Sequence, residues 1–193
     1  MWYSSNMKKT VSIIAILIIL ILIGITIYYS FKNENRQPLS ITEQNTASTF
    51  DPENTTYTID GKSYEIADGI GRTPAAPDSA SMIVTRYFGN EAVGDLNGDG
   101  MDDIAYLITQ ETGGSGLFYY AVVALKTNDG YKLTDAFLIG DRIAPQSTDI
   151  KDGVLLVNYA DRASGEPMSA QPSIGKTLRL KVGDNITLEA VAN

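Results

Sequence analysis

From Tyr57 onward the chain is punctuated by four Asp-Gly or Gly-Asp steps: Asp60-Gly61, Asp129-Gly130, Asp152-Gly153 and Gly183-Asp184. Each is flanked by short alternating or apolar runs, and such steps turn one antiparallel strand into the next. The segments they delimit include Tyr57 to Ile66, Ala121 to Ile139, Val154 to Tyr159 and Thr177 to Val191, with a strand read over Ile186 to Val191. No stretch after Tyr29 repeats with the 3.6-residue period of a helix, and Pro74 and Pro77 make a loop of Ala75 to Ala80. Two runs, Ile104 to Ile108 and Leu117 to Leu125, are apolar on both alternations, which predicts central strands buried on both faces. The expected fold is all-β, a mainly antiparallel sandwich or curled sheet of about eight to ten strands over residues 57–193.

The first 56 residues have a different texture. Residues 1–10 form a short polar tail, and residues 11–31 open with nineteen residues, Val11 to Tyr29, dominated by isoleucine and leucine. As a helix, that run spans about 28 Å, close to a bilayer's hydrocarbon thickness. It is longer than a signal-peptide core, and Tyr28-Tyr29-Ser30-Phe31 makes a poor cleavage site, so the expectation is an uncleaved single-pass anchor. Residues 32–56, rich in Asn, Thr, Ser, Gln and Glu, read as a flexible linker between membrane and domain. The chain carries 15 basic and 23 acidic residues, a net charge of -8 that argues against nucleic acid as a partner. It holds no cysteine and no histidine, which removes disulfides, Ser-His-Asp triads and the usual zinc sites.

The segment Gly94-Asp95-Leu96-Asn97-Gly98-Asp99-Gly100-Met101-Asp102-Asp103 stands immediately before the first double-sided strand. Asp95, Asn97 and Asp99 alternate in a loop turned by Gly98 and Gly100, while Met101 offers a carbonyl and Asp103 a carboxylate. Five oxygen donors without nitrogen or sulfur suit calcium, a hard cation that takes six to eight oxygens. Clustered carboxylates repel one another, and a cation among them relieves that cost. Loops of modest affinity fill where calcium stands at about 0.1 to 1 mM, outside the cytoplasm, and this orients residues 57–193 outward. The alternative is an Asx-rich turn with no ion.

Tyr87-Phe88-Gly89 followed by Gly94 to Ile104 resembles the FG-GAP/VCBS type of calcium-loop repeat found in integrin-α-like propellers and bacterial surface proteins. The resemblance covers some twenty residues. It implies Asp95, Asn97, Asp99, the Met101 carbonyl and Asp103 as ligands. Propellers repeat the unit, whereas here it occurs once, and one blade cannot bury its own faces. Gly113 to Tyr120, Gly140 to Gln146 and Val157 to Arg162 resemble segments of small exported bacterial proteins that carry one such loop. An EF-hand fails on two counts, since its twelfth position needs Glu and falls on Tyr106, and flanking helices are missing.

Other patterns point to structure first. Ala170 to Thr177 imitates a phosphate-binding loop, and Ser173 with Lys176 an acyl-enzyme motif, yet both motifs need a following helix and the sequence here alternates as a strand. Asp141-Arg142 and Asp161-Arg162 each close an apolar run, where adjacent side chains point to opposite sides and so pair across the sheet rather than with each other. The sharper expectation is a polar cleft lined by Arg142, Tyr159, Arg162 and Glu166 for an anionic or sugar ligand, with Tyr119 or Tyr120 available for stacking. The leading reading is a calcium-stabilised binding or structural module, not an enzyme, partnered by the membrane and by an envelope or surface protein or glycan. The competing reading is a carboxylate-based, glycosidase-like hydrolase of the cell envelope, which needs two carboxylates in one cleft.

Overall fold

The computed structural model describes residues 50–192, and within them the protein is all-β. The expected anchor over residues 11–31 and most of the linker lie outside the described residues. Among the described residues no helix is long and apolar enough to cross a membrane. Twelve strands appear where eight to ten were expected: β1 Thr55–Ile59, β2 Lys62–Ile66, β3 Ile70–Pro74, β4 Met82–Gly94, β5 Asp103–Glu111, β6 Phe118–Thr127, β7 Gly130–Leu133, β8 Phe137–Asp141, β9 Ala144–Lys151, β10 Val154–Asp161, β11 Ile174–Val182 and β12 Leu188–Ala190. The additions come from short strands, above all β3, whose hairpin partner β4 begins beyond the Pro-rich loop. β1 starts two residues inside the stretch read as linker.

All pairings are antiparallel. β1 and β2 form a hairpin, β3-β4-β5-β6-β7 a sheet to which β8 adds by pairing with β6, and β12-β11-β10-β9 a second sheet. Asp60 and Gly61 both take positive φ, 49° and 73°, as do Asp152 and Gly153, 53° and 69°, which gives the primed turns whose twist matches the strands they join. A third such pair, Asp68 and Gly69 at 49° and 78°, closes the Ala67 to Ile70 bridge between β2 and β3.

β5 and β6 form the centre, as their two-sided apolarity predicted. Residues Ala105, Leu107, Ala121, Val123 and Leu125 face one way and pack with Leu155, Val157, Leu180 and Leu188 of the four-stranded sheet. Their neighbours Tyr106, Ile108, Tyr120, Val122 and Ala124 face the other way, against Tyr57, Ile59, Tyr64 and Ile66 of the hairpin. The central sheet is therefore covered on both faces, which is why its strands lack polar residues until their ends.

β4 is the irregular strand. Its register shifts around Gly89, which sits at φ 91° beside Asn90 at φ 57°. Asn90 Nδ2 then donates to Thr148 Oγ1 of β9 at 3.0 Å, linking the two sheets along that side. The expected strand over Ile186 to Val191 is shorter than predicted. Asn185 and Ile186 both adopt positive φ, 59° and 62°, in a short 3-10 turn, Asp184–Ile186, which leaves three residues for β12.

Phe50 to Asn54 pack onto the domain instead of trailing from it. The Phe50 ring lies 6.1 Å from that of Tyr106 and 5.4 Å from that of Tyr131, and Gly69 N donates to the Glu53 carbonyl at 3.0 Å. Beneath them the Tyr57 hydroxyl donates to Pro52 O at 2.5 Å, while the fully buried Tyr106 hydroxyl finds no partner among the described residues. An unpaired buried hydroxyl costs stability, so Tyr106→Phe is expected to be neutral or to raise stability by about 1 kcal/mol. Tyr57→Phe, which removes a made bond, is expected to lower stability by a similar amount in urea denaturation.

Candidate functional site

The loop between β4 and β5 is built from side chains that bind their own main chain. Asp95 Oδ1 accepts from Gly98 N at 2.7 Å and Asp95 Oδ2 from Gly100 N at 2.9 Å. Asn97 Oδ1 accepts from Asp99 N at 3.0 Å, and Asp99 Oδ1 from Met101 N at 2.8 Å. The Asn97 and Asp99 bonds are successive Asx turns, Asp95 reaches three and five residues on, and Gly98 and Gly100, at φ 80° and 82°, supply left-handed backbone. Asn97 Nδ2 donates to Asp99 Oδ2 at 2.9 Å, which joins two of the three alternating side chains.

Asp103 plays a different part. It is the first residue of β5 and wholly buried, with Oδ2 accepting from Leu96 N and Oδ1 from Lys126 N, each at 2.9 Å. Asp103 thereby ties the start of the loop to the end of β6, a role that the motif alone does not disclose. Met101, the remaining predicted donor, gives its N–H to Asp99 Oδ1.

Electrostatics separate the two acids. Hydrogen bonds from Gly100 and then Gly98 hold the Asp95 carboxyl below the usual aspartate value, whereas burial raises Asp103 despite its two N–H donors, with Asp99 and Asp95 adding repulsion. The charged form of Asp95 thus stabilises the fold above the ordinary carboxylate pKa, and that contribution is lost as pH falls through its lowered folded value. For Asp103 the sign reverses, because protonation relieves a cost as pH falls through its raised folded value. Side-chain carboxyl NMR in chelator is expected to find Asp95 titrating below, and Asp103 above, the value for an unperturbed aspartate near 3.9.

The donor set is mixed, with an amide and a main-chain carbonyl beside three carboxylates. Among the described residues no three acidic side chains gather as a ready-made metal cluster. The chemistry nonetheless fits a hard cation: every donor is oxygen, and a carboxylate or carbonyl oxygen that accepts one N–H keeps a second lone pair.

At the far end of the sheets the residues expected to line a cleft are engaged in structure. Arg162 donates through Nε to Ala170 O at 2.7 Å and through Nη1 to Arg142 O at 2.9 Å, clasping two loops. Glu166 Oε2 accepts from Ala163 N at 2.9 Å. Tyr159 is buried in a small cluster with Tyr119 and Ile143, and Tyr120 is buried as well, so neither Tyr119 nor Tyr120 stands free for stacking. Arg142 corrects the pairing expected across the sheet: it bonds its neighbour Asp141, Nη2 to Oδ2 at 3.1 Å, because φ of 49° takes it out of the extended conformation. Asp161 does pair across the sheet, with Lys176 at 2.7 Å. Partial burial works against the Asp141 charge, but Arg142 and Leu117 N outweigh it and hold that carboxyl low.

The segment resembling a phosphate loop leads directly into β11, so the helix that both motifs require is absent there. No protein-family model, no curated protein and no solved structure matches the chain.

Proposed function

We infer that this protein is a membrane-anchored, extracytoplasmic module whose β domain is stapled by calcium at Asp95, Asn97, Asp99, the Met101 carbonyl and Asp103. One observation supports the reading: the side chains at three alternating positions each accept main-chain N–H groups of the same loop, which holds their oxygens in one tight bend. When bound, calcium supplies positive charge that offsets the mutual repulsion of three carboxylates. The protein's own part is to hold the donors in place through the Asx turns and to fix the loop to β6 through Asp103. The fold gives the staple its purpose, since the loop launches β5, the strand on which both layers of the core rest.

This is a binding or structural role, and its surroundings are those of an envelope or surface protein with protein or glycan partners. The hydrolase reading needs two carboxylates facing one cleft. The two surface grooves that border the hairpin and the loop each hold one, Glu65 in the first and Asp99 in the second.

The test is amide NMR on the full chain in detergent micelles. Calcium added to chelated protein is expected to shift the resonances of Gly98, Gly100 and Met101 selectively, with magnesium far less effective because it demands a smaller, octahedral shell. Unchanged spectra at millimolar calcium contradict the reading and leave the loop as a self-bonded turn.

A further inference from the structure

Asn97-Gly98 is the only asparagine-glycine step in the chain. Asparagine is a labile side chain, because the main-chain nitrogen of the next residue can reach its Cγ and close a five-membered imide ring. A side chain on that next residue obstructs closure. Within residues 50–192 every other asparagine is followed by a larger residue, namely Thr55, Glu91, Asp129, Tyr159 or Ile186. Beside Gly98 the space where a side chain would begin is open for 4 Å, and both residues of the step are exposed, so water reaches them.

The loop also gives each reacting atom a partner. The attacking nitrogen, Gly98 N, donates to Asp95 Oδ1 at 2.7 Å. That N–H lies in the peptide plane, whereas attack on Cγ uses the lobe perpendicular to it, so the proton acceptor is in place without blocking the attack. Main-chain hydrogen bonds, led by that from Gly100, hold the Asp95 carboxyl low and keep it an acceptor at neutral pH. Asn97 Oδ1, the oxygen on which negative charge develops, already accepts from Asp99 N at 3.0 Å. The leaving nitrogen, Asn97 Nδ2, is held by Asp99 Oδ2 at 2.9 Å, which fixes the amide over the main chain.

We propose that this loop modifies itself: Asn97 is converted to aspartate and isoaspartate through an imide with Gly98, promoted by Asp95 and the Asp99 N–H. The bond from Gly98 N to Cγ forms and the Cγ–Nδ2 bond breaks. The Gly98 proton passes through Asp95 to solvent, and Nδ2 takes a proton from water and leaves as ammonia. Water then opens the imide at either carbonyl. Both products put a carboxylate where the amide donated to Asp99, and isoaspartate also adds a methylene to the main chain, which breaks the turn to Asp99 N. The loop is thereby altered irreversibly as the protein ages, while the Asp103 strut is untouched.

The step needs no cation, so it is measured in chelator, and its failure leaves the calcium reading standing. The full chain is incubated in detergent micelles beside the same chain unfolded in urea, and position 97 is followed by peptide mass and by enzymatic methylation of isoaspartate. Asn97 is expected to react faster in the folded chain than in urea by about tenfold or more. Asp95→Asn is expected to abolish that advantage, while Asp103→Asn, which loosens the same loop without touching the reacting atoms, retains most of it. The folded rate is expected to stay level across neutral pH, whereas the rate in urea rises with hydroxide. An Asn97 that survives longer in the folded chain than in urea overturns the proposal. Equal slowing in the two variants, or a folded rate that tracks hydroxide, overturns the part given to Asp95.

Discussion

Asp103→Ala is expected to destabilise the domain by about 3 to 5 kcal/mol, the largest effect of any single substitution in the loop, and to do so with or without calcium. The carboxylate is wholly enclosed and receives two main-chain N–H bonds, from Leu96 and Lys126. Removing it leaves both donors buried and unpaired, and each such loss to a charged acceptor costs about 1.5 to 3 kcal/mol. Part of that is offset, because the substitution also removes a carboxylate whose burial and acidic neighbours already disfavour its charge. Asp103→Asn retains one carbonyl acceptor and is expected to lose roughly half as much. Thermal unfolding in chelator checks this, with a drop of about 10 to 20 °C expected for the alanine variant. A small loss would mean that the loop does not depend on the strut.

The second large effect is ion-dependent. Calcium at about 100 times its dissociation constant is expected to stabilise the protein by about 2.7 kcal/mol. Asp99→Ala is expected to abolish that gain. In chelator Asp99→Ala should cost much less than Asp103→Ala, because the bonds it removes, to Met101 N and from Asn97 Nδ2, lie at the exposed tip of the bend. The two variants therefore separate a strut whose loss is felt without the ion from a proposed ligand whose loss is felt chiefly with it. Equal calcium responses in the wild type and Asp99→Ala would place any bound ion elsewhere.

Much of this architecture is legible in local sequence and some is not, for identifiable reasons. The turns at Asp60-Gly61 and Asp152-Gly153 and the double-sided burial of β5 and β6 follow from residue type and alternation within a few positions. The Asp68-Gly69 turn belongs to the same class, but β3 continues after Ile70 as Gly, Arg, Thr and Pro, so the alternation that frames the others is missing. Ile186 and Arg142 at positive φ run against the preference of their side chains, and nothing in their neighbours signals it. The packing of Phe50 on Tyr106 and Tyr131 depends on where β5 and β7 lie relative to the hairpin, which periodicity does not encode.

The loop shows the same division. Its bend and its bonds from side chain to main chain follow from the spacing of Asp95, Asn97 and Asp99 with glycines at 98 and 100, since each such bond is a local event. The bond from Lys126 N to Asp103 spans 23 residues, and it becomes visible only once β5 and β6 are set in register. The arginines at the opposite end were a reasonable pointer to a ligand, but Arg162 spends two donors on the carbonyls of Arg142 and Ala170.

The most direct measurement is a calorimetric titration of calcium into the chelated, full-length protein. Saturation is expected at one ion per chain, with a dissociation constant in the range of about 0.1 to 1 mM typical of extracellular modules, and no binding by Asp99→Ala. Heats that stay at the level of dilution up to 10 mM calcium, a concentration about ten times the weak end of that range, would contradict it.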